Sequence, residues 1–575
     1  MSRPRDCFTA AFFLLIIPCI VPAQETDNGS TRADPEVERK ALDLLETIAE
    51  RIPNLRAPGN RVQLACSVAE LLWPRDEERA QTLFENVTRD MAALVAGVDF
   101  SDQDSHNGWI QQQRRQILER MAHHDPELAL TFLRATRQPS PNSSPSGAPD
   151  NETNLEVLLA GRVAAKNPEM ALSMARASLA QGVSHNLLGL LSQLQQKDPA
   201  AAQKFHREVV DRINDSDLVR NQQTASVAWS LLSSFQPPQA DEQTYREFIE
   251  NLIRRTLPIT PGEPFNYQVA QNLYHQLRGA MPLVEKHAPT RAPALRQWFQ
   301  NVERTFDPTQ RMHNELNEIY QKTSAQEILG IASKYPAEMR PQIYQQAVWK
   351  VLNSGEPDLA RQIANEFLSG HQQQQMLSQI ENHMLWKAVN ENKLAEARRL
   401  LNAVRVADRL QIVTQLAARL ANNGDKEGAL ALLDEARGLL VSLPPGSRKL
   451  MAQLQLAHSY TAIDVDQSKT ILQSVIAQVN ELVAAASVLD GFENRYLRDG
   501  EWMAYGPNGL SNFVNNLDQN LGQLATRDLD SARMLSDQLE RIEIRLKTQL
   551  AIVQAVLGAP SRSIPTLKGR RFVTN

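Results

Sequence analysis

The densest group of possible metal ligands lies at residues 123–127, where His123, His124, Asp125 and Glu127 fall within five positions. Imidazole and carboxylate groups of this kind bind zinc in proteins. Neighbouring side chains on a helix point in different directions, so they do not converge on one ion. The sequence also contains no H-E-x-x-H and no C-x-x-C pattern. We therefore interpret residues 123–127 as the polar end of a helix and predict no metal site.

The sequence also contains no recognisable motif for a catalytic nucleophile or for phosphate binding. Cys66 lies in the apolar stretch QLACSVAELL, which predicts a buried structural thiol. There is no G-x-S-x-G and no glycine-rich phosphate loop. We predict no nucleophile and no cofactor. Paired carboxylates stay open, because 66 acidic residues could place two in one cleft of a polysaccharide hydrolase or lyase. Aromatic residues, which line sugar clefts, make up only 6% of the chain.

The best candidate for a contact surface is the glycine-rich segment GFENRYLRDGEWMAYGPNGLSNF at 491–513. Trp, Tyr and Arg dominate the residues that carry binding energy at protein interfaces. Tyr496, Arg498, Trp502 and Tyr505 are therefore the predicted contacts for a protein or peptide partner. The alternative is that these aromatic side chains fold back and cover the last helices.

A short residue pattern recurs along the chain and marks where the predicted helices begin. KNPEMALSMARASL (166–179), HHDPELALTFL (123–133) and KDPAAAQKFHR (197–207) each have Asp or Asn, then Pro, then Ala. Asp and Asn accept hydrogen bonds from the free amides of a first helical turn, and Pro is tolerated at the first helical position. The pattern therefore predicts helix starts, with Asn167, Asp125 and Asp198 as caps. The Ala that follows leaves room for a neighbouring helix.

Helical periodicity runs almost without interruption to residue 557, and no set of alternating strand patterns appears. The apolar faces are wide, which favours helices packed against two neighbours rather than a coiled coil. The sequence therefore predicts an all-α fold.

Residues 410–443 resemble the tetratricopeptide repeat. Leu416-Ala417, Gly424-Asp425 at a turn, and Ala429, Leu433 and Ala436 follow the spacing of that helix–turn–helix unit. Leu420 and Leu433 stand where the family prefers Tyr and Phe, and the family's Trp is absent. The resemblance is good over this unit and loose elsewhere. It implies a right-handed stack of antiparallel helix pairs, an α-solenoid, and a surface for peptide or protein partners.

The N-terminus has the layout of a secretory signal peptide. Arg3 and Arg5 precede an apolar run of about 17 residues, and Val21-Pro22-Ala23 forms a cleavage site before Gln24. After removal of residues 1–23 the only thiol is Cys66, so no internal disulfide is possible. We expect a secreted or periplasmic protein of bacterial origin, with no integral membrane segment after cleavage.

The predicted organisation follows from these patterns. It comprises a signal peptide (1–23), a flexible N-terminus (24–33), helical hairpins (34–136), a disordered Pro/Ser loop (137–153), a central helical region (154–340), a TPR-like region (341–560) with an irregular insertion (491–513), and a loose basic tail (561–575). The net charge of −5 is spread without a basic stripe, which argues against nucleic-acid binding. We predict a non-enzymatic interaction scaffold. The alternatives are the polysaccharide hydrolase or lyase and a purely structural spacer.

Overall fold

The structure is a computed structural model. It describes residues 34–97, 105–138, 151–218, 221–259, 264–306, 312, 315–316, 319–320, 323–391, 393–401, 406–493, 496–505 and 510–558. The predicted signal peptide and basic tail lie outside these residues, as does most of the predicted Pro/Ser loop.

The described chain is all-α, as the sequence predicts, except for one short hairpin. The α-helices are Pro35–Arg51, Pro58–Leu72, Glu77–Ala96, Ser105–His124, Pro126–Ala135, Asn151–Val163, Pro168–Gln181, Asn186–Lys197, Pro199–Asp215, Gln222–Ser234, Glu242–Thr256, Pro264–His287, Ala292–Thr305, Ala325–Ile331, Arg340–Asn353, Pro357–Phe367, Gly370–Asn390, Leu394–Leu401, Val406–Asn422, Lys426–Val441, Ser447–Thr461, Val465–Glu493, Ser511–Ala525, Leu529–Ser536 and Ile542–Leu557. Short 3-10 turns occupy Ile52–Asn54, Pro289–Arg291 and Ala332–Lys334.

The recurring pattern marks helix starts where the sequence predicts them. The side chains of Asp125, Asn167 and Asp198 each accept a hydrogen bond from a backbone amide in the first turn. The alanine four residues after each cap is fully buried, and the same holds in helices that begin after other caps. The alanines with no exposed surface at this position are Ala80, Ala129, Ala171, Ala202, Ala360, Ala429 and Ala532. The pattern therefore combines a cap with a small residue at a close helix contact.

The helices stack in chain order in two rows. In the first half of the chain, every second helix packs against the next of its own row: Ser105–His124, Asn151–Val163, Asn186–Lys197, Gln222–Ser234 and Pro264–His287. The helices between them form the other row. Adjacent members of the two rows pack as pairs, so the core lies between the rows.

The last helices return to the first. The last helix (Ile542–Leu557) packs along the first helix (Pro35–Arg51) and contacts the second helix (Pro58–Leu72). One continuous set of buried apolar residues therefore reaches both ends of the described chain, from Ala41 to Phe306 and from Leu450 to Val553. We call this set the main core, and the contact between the chain ends the closure.

The remaining part of the stack, residues 323–443, is built differently, and we call it the arc. Its buried residues, together with Leu316 before it and Ala452, Leu456 and Tyr460 after it, fall into three smaller clusters. These clusters span Leu316–Ala347, Val348–Ile380 and Leu385–Tyr460. Partly buried side chains connect them: Tyr344 packs on the first two clusters and Met384 on the second and third. The arc is thus a chain of local cores.

Two segment boundaries in the structure differ from those predicted from the sequence. The helix Asn151–Val163 begins inside the predicted disordered loop, where the buried Glu152 carboxylate accepts two hydrogen bonds from the Arg114 guanidinium. The predicted insertion begins within a helix, because Val465–Glu493 (the long helix) continues to Glu493.

The insertion then forms the strands Leu497–Arg498 and Glu501–Trp502, paired antiparallel. Asp499 and Gly500 turn the chain with φ values of 52° and 77°. This is the left-handed backbone of a tight two-residue hairpin, in which Asp and Gly are favoured. The prediction that strands are absent is therefore wrong at this one place.

The long helix bears on the expectation that the protein has no integral membrane segment after cleavage. Val465–Phe492 is long and apolar enough to cross a bilayer by length and composition, and a third of its most apolar window is buried. Leu472, Val475 and Ile476 lie in the main core. On one face the long helix is therefore a core helix of the stack.

Candidate functional site

The four candidate metal ligands at 123–127 do not face one another. The Asp125 carboxylate accepts hydrogen bonds from the amides of Glu127 and Leu128, at 2.8 and 3.3 Å. The His124 ring stacks on Trp73 with centroids 4.9 Å apart, and burial lowers its pKa to about 4. Within the described ranges, no three His, Cys, Asp or Glu side chains are grouped to hold a metal ion.

Cys66 lies in the second helix and is fully buried, as the apolar stretch predicts. The Arg120 guanidinium lies 3.7 Å from its sulfur and 3.2 Å from the Ser67 hydroxyl. Burial raises the pKa of the thiol to about 11. A thiol in this state is a poor nucleophile, because the thiolate is the reactive form.

The hairpin is the centre of the closure, and Glu501 is its main polar contact. One carboxylate oxygen accepts the Arg56 amide at 2.6 Å, and the other accepts the Ala57 amide at 3.0 Å. Ala57 precedes the second helix and offers no side-chain cap of its own. Glu501 therefore caps that helix from 444 residues away. A negative charge is favoured there by the helix dipole.

Asn60 completes the contact between the hairpin and the second helix. Its side-chain amide donates to the Trp502 carbonyl at 2.9 Å and to Glu501 at 3.3 Å, while its oxygen accepts the Ala504 amide at 3.2 Å. Asn60 is 1% exposed, so these bonds are shielded from water. Gly59 makes room for the contact, because a Cβ there would lie 2.8 Å from the Trp109 ring.

A second carboxylate, that of Glu543, contacts the backbone of Trp502. It accepts the Trp502 amide at 2.7 Å and is 1% exposed. Burial is the largest influence on its pKa, which is raised, and the charge of Glu501 contributes in the same direction. Two carboxylates from distant positions are thus close together. Both are buried and both accept backbone amides, so they are placed to join backbone segments rather than to act on a substrate.

The predicted contact residues lie in and beside this closure. Trp502 is completely buried and stacks on Tyr496, with centroids 5.6 Å apart. The Tyr505 carbonyl accepts the Trp109 indole N–H at 3.0 Å, and the Lys547 ammonium lies 5.2 Å from the Tyr505 ring centre. In this structure Trp502 is therefore an intramolecular anchor, and a contact between it and a partner stays a prediction. The aromatics do fold back, but onto the first helices as well as the last. Arg498 is exposed, so its role as a contact stays a prediction.

The residues that sequence reasoning missed are Glu501, Asn60 and Glu543. Their types are ordinary for helix ends and turns. Glu501 and Asn60 act through contacts across more than 400 positions, and Glu543 acts through one across 41 positions. No local pattern reveals such contacts.

A surface groove lies elsewhere, in the first half of the stack. It has a volume of about 640 Å³ and is lined by Gln203, Pro237, Pro238, Ala240, Asp241, Glu242, Lys286 and His287. Its carboxylates are engaged by the protein. Asp241 accepts the Thr244 amide and hydroxyl at 3.1 and 2.6 Å, and these bonds lower its pKa. Glu242 lies 3.1 Å from His287 Nδ1. A glycosidase acid needs a raised pKa, so Asp241 is shifted in the opposite direction.

The most distinctive exposed surface is the C-terminal half of the long helix. Its side chains Leu482, Val488, Leu489 and Phe492 are exposed by 39%, 70%, 54% and 87%. Ala484 and Ala485, on the same stretch, are also exposed. The opposite face, with Val479, Val483 and Ala486, is buried in the main core. We call the exposed set Leu482, Ala485, Val488, Leu489 and Phe492 the apolar seam.

The first half of the same helix shows the ordinary arrangement. There the exposed positions include Asp466, Gln473 and Ser474. A helix that is apolar all round is normally buried on all sides, and contiguous exposed apolar surface marks a contact site. Of the seven large apolar side chains that are exposed among the described residues, six lie between Leu482 and Ile542. The seventh, Val441, lies on another helix.

Comparison with known proteins gives no family. No family model matches the sequence, and no curated protein matches it. Among solved structures, the chain is similar to a circular tandem repeat protein with novel repeat topology and enhanced subunit contact surfaces, at 13% identity and a TM-score of 0.14, over 91% of this chain and 98% of that one. A homology model of the full-length AP-3 complex in an intermediate open conformation gives 12% identity and a TM-score of 0.13, over 91% of each chain. Backbones with such scores do not superpose as one fold, so neither protein informs the function.

Proposed function

We propose that this protein is a non-enzymatic scaffold of the TPR-like α-solenoid type, which binds a protein partner outside the cytoplasm through the apolar seam. The observation that supports this function is the seam itself. Four large apolar side chains are exposed to solvent on a helix whose opposite face is buried in the main core. Their exposure is unfavourable by roughly 25 cal/mol for each Å² of apolar surface, and a partner that covers them recovers this free energy.

The closure gives the seam a fixed position. Asp490, at the end of the long helix, accepts the Tyr496 and Leu497 amides at 2.5 and 3.1 Å, which ties the hairpin to the helix end. The Arg541 guanidinium donates to the Ser487 hydroxyl at 3.2 Å. The helix end is therefore held on two sides, and a surface that is ordered before binding loses less entropy when a partner arrives.

Capture from a cell-envelope fraction tests the proposed function. The tagged chain is compared with Leu489→Ser and Phe492→Ser variants and with Val441→Ser as the matched control, because Val441 is 77% exposed but lies outside the seam. We expect a partner that wild type and Val441→Ser retain and that both seam variants lose. If all four proteins capture the same set, the seam is not the binding site.

Localisation is tested separately. We expect the N-terminus of the protein from cells to be Gln24, since the predicted cleavage follows Ala23. A mature chain that still begins at Met1 would contradict secretion by signal cleavage.

The acidic-cleft hydrolase remains the alternative from the sequence. The groove lined by Asp241 and Glu242 is a cavity with two acidic residues. Its carboxylates accept bonds from Thr244 and lie against His287, so the scaffold is the function we favour.

A further inference from the structure

We propose that the surface groove beside the helix Glu242–Thr256 binds a small zwitterion, a molecule with one ammonium and one carboxylate group. An amino acid or a short peptide with free ends has this chemistry. The inference goes beyond the proposed function, because the groove and the apolar seam lie on different helices. The groove has a volume of about 640 Å³, and binding sites for small molecules typically measure roughly 300–1,000 Å³.

The first observation is that two carboxylates at the groove each keep one oxygen free. Asp241 accepts both the Thr244 amide and the Thr244 hydroxyl through Oδ2. Glu242 meets His287 through Oε1. Asp241 Oδ1 and Glu242 Oε2 accept no hydrogen bond from the residues that the structure describes. An ammonium group has three N–H donors, so it is suited to these two free acceptors.

The Asp241 carboxylate is held in its charged form. The hydrogen bonds from Thr244 are the largest influence on its pKa, which is lowered. Asp241 also caps the helix Glu242–Thr256, where the positive end of the helix dipole favours a negative charge. A carboxylate that stays ionised is suited to pair with an ammonium group and unsuited to donate a proton.

The second observation is a buried nitrogen at the same groove. His287 lines the groove and is 7% exposed, and its Nδ1 lies 3.1 Å from Glu242 Oε1. The carboxylate favours the proton on Nδ1, which leaves a lone pair on Nε2. His287 Nε2 has no hydrogen-bond partner among the described residues. Because buried polar atoms normally have a partner, this nitrogen points to a ligand that donates a hydrogen bond.

The third observation is that the groove carries both signs of charge. Lys286 lines it, is exposed, and forms no ion pair with the described acidic residues. Arg207 and Arg246 lie 4.0 Å from Asp241 and Glu242, respectively. A ligand with a single sign of charge would meet a like charge here, which is unfavourable. A zwitterion avoids this, because its ammonium group meets the carboxylates and its carboxylate meets Lys286.

The remaining lining adds an apolar surface. Pro237, Pro238 and Ala240 complete the groove, and their side chains offer no hydrogen-bond donor or acceptor. A ligand with a small apolar side chain between its charged ends suits this lining. Alanyl-alanine is therefore the probe that the groove predicts.

Calorimetric titration of the purified chain with alanyl-alanine tests the inference. We expect one molecule to bind per chain with a saturable signal. N-acetyl-alanyl-alanine lacks the ammonium group, and alanyl-alanine amide lacks the carboxylate. Each should bind roughly tenfold more weakly or worse, because each loses a hydrogen-bonded contact to a charged group.

Two variants separate the two ends of the ligand. Glu242→Gln should weaken the binding of alanyl-alanine about tenfold and leave that of the N-acetyl form unchanged. Lys286→Met should weaken alanyl-alanine but leave the amide unchanged. The matched control is Glu247→Gln, which changes an exposed acidic residue further along the same helix and should bind as wild type does. Circular dichroism shows that each variant is folded.

The outcomes separate clearly. A wild type that shows no saturable binding of alanyl-alanine, or that binds the two capped forms equally well, overturns the inference. Equal binding by wild type, Glu242→Gln and Lys286→Met would place the ligand elsewhere and also overturn it. Alanine is titrated in parallel. Tighter binding of alanine supports the inference with a free amino acid as the ligand, and tighter binding of alanyl-alanine supports it with a peptide.

Discussion

The closure and the arc are both built from α-helices, but their helices are held together in different ways. The closure joins both ends of the described chain in one continuous core, and the buried Glu501 carboxylate accepts backbone amides more than 400 residues away. The arc is a series of smaller clusters, each made from neighbouring helices and connected by partly buried side chains. Local contacts are enough to build a stack, whereas distant contacts are needed to fix where its ends lie.

This difference predicts where the chain opens first. Parts of a structure with fewer buried apolar contacts open at lower free energy than the parts with one large core. We therefore expect amide exchange in residues 323–443 to proceed through local openings. Exchange in the second and last helices should require a larger, joint opening.

The largest expected effect on this comparison comes from Trp502→Ala. Trp502 is fully buried in the closure, and truncation of such a side chain costs about 3–5 kcal/mol. Denaturant unfolding, followed by fluorescence and circular dichroism, measures the loss. The control is Trp386→Ala in the arc, where the side chain is only partly buried and the loss should be smaller. Equal losses at the two positions would remove the distinction between closure and arc.

The next effect concerns the cap that Glu501 provides. Glu501→Gln replaces a charged acceptor of the Arg56 and Ala57 amides by a neutral one. We expect the free energy of closure opening to fall by roughly 1–3 kcal/mol. Cys66 reports the opening, since its buried thiol is protected from alkylation while the chain ends stay packed. In a chain with Cys7 and Cys19 replaced by Ser, alkylation should be faster by at least fivefold. The exposed Glu540→Gln should leave the rate unchanged.

A pH effect separates the main core from the arc. His206 lies in the main core, 1% exposed and stacked on Phe235, and burial lowers its pKa to about 4. In the unfolded chain the pKa is about 6.5. Between these values the unfolded state binds the proton and the folded state does not. Its contribution to stability is therefore present above pH 6.5 and is lost as the pH falls towards 4.

The variant His206→Phe removes this loss. At pH 5 the wild type should have lost on the order of 2 kcal/mol that the variant retains. The charges nearest to the ring, Arg207 and Asp241, have opposite effects on it. Unfolding curves at pH 7.5 and pH 5 measure the difference, with the exposed His371→Gln in the arc as control. A pH dependence that is the same in both variants would contradict the assignment.

The smallest expected effect comes from a single helix cap. The Asp198 carboxylate accepts the Ala201 amide at 3.0 Å, so Asp198→Ala should lower stability by about 1 kcal/mol. Because the residue lies far from the seam in the chain, partner capture should not change. A melting temperature equal to that of the wild type would show that this cap contributes nothing.

The parts of the fold that depend on local chemistry could be predicted from the sequence. Asp125, Asn167 and Asp198 cap helices because their type and spacing suit a first turn, and the alanine one turn later is buried because two helices cross there. The closure could not be predicted. The residue type of Glu501 does not distinguish a glutamate that caps a distant helix from an exposed glutamate. Tryptophan is common at contacts, so the type of Trp502 does not show whether it faces a partner or its own chain.

The apolar seam carried a signal that was available in the sequence. From Leu482 to Phe492 the apolar residues cover all sides of the helix, while the preceding turns keep polar residues at Gln473 and Ser474. A change from a one-sided to an all-round apolar pattern within one helix predicts a second contact surface. Which face is already occupied by the protein itself requires the structure.

The most direct test of the closure is native-state hydrogen exchange at two sets of amides that are distant in sequence. Arg56 and Ala57 donate to Glu501, and Trp502 donates to Glu543. If the two chain ends form one unit, the three amides exchange with the same free energy of opening, and Glu501→Gln lowers all three by the same amount. Exchange of Trp502 at an unchanged rate while Arg56 and Ala57 become fast would show that the two ends open independently, and would contradict a closed stack.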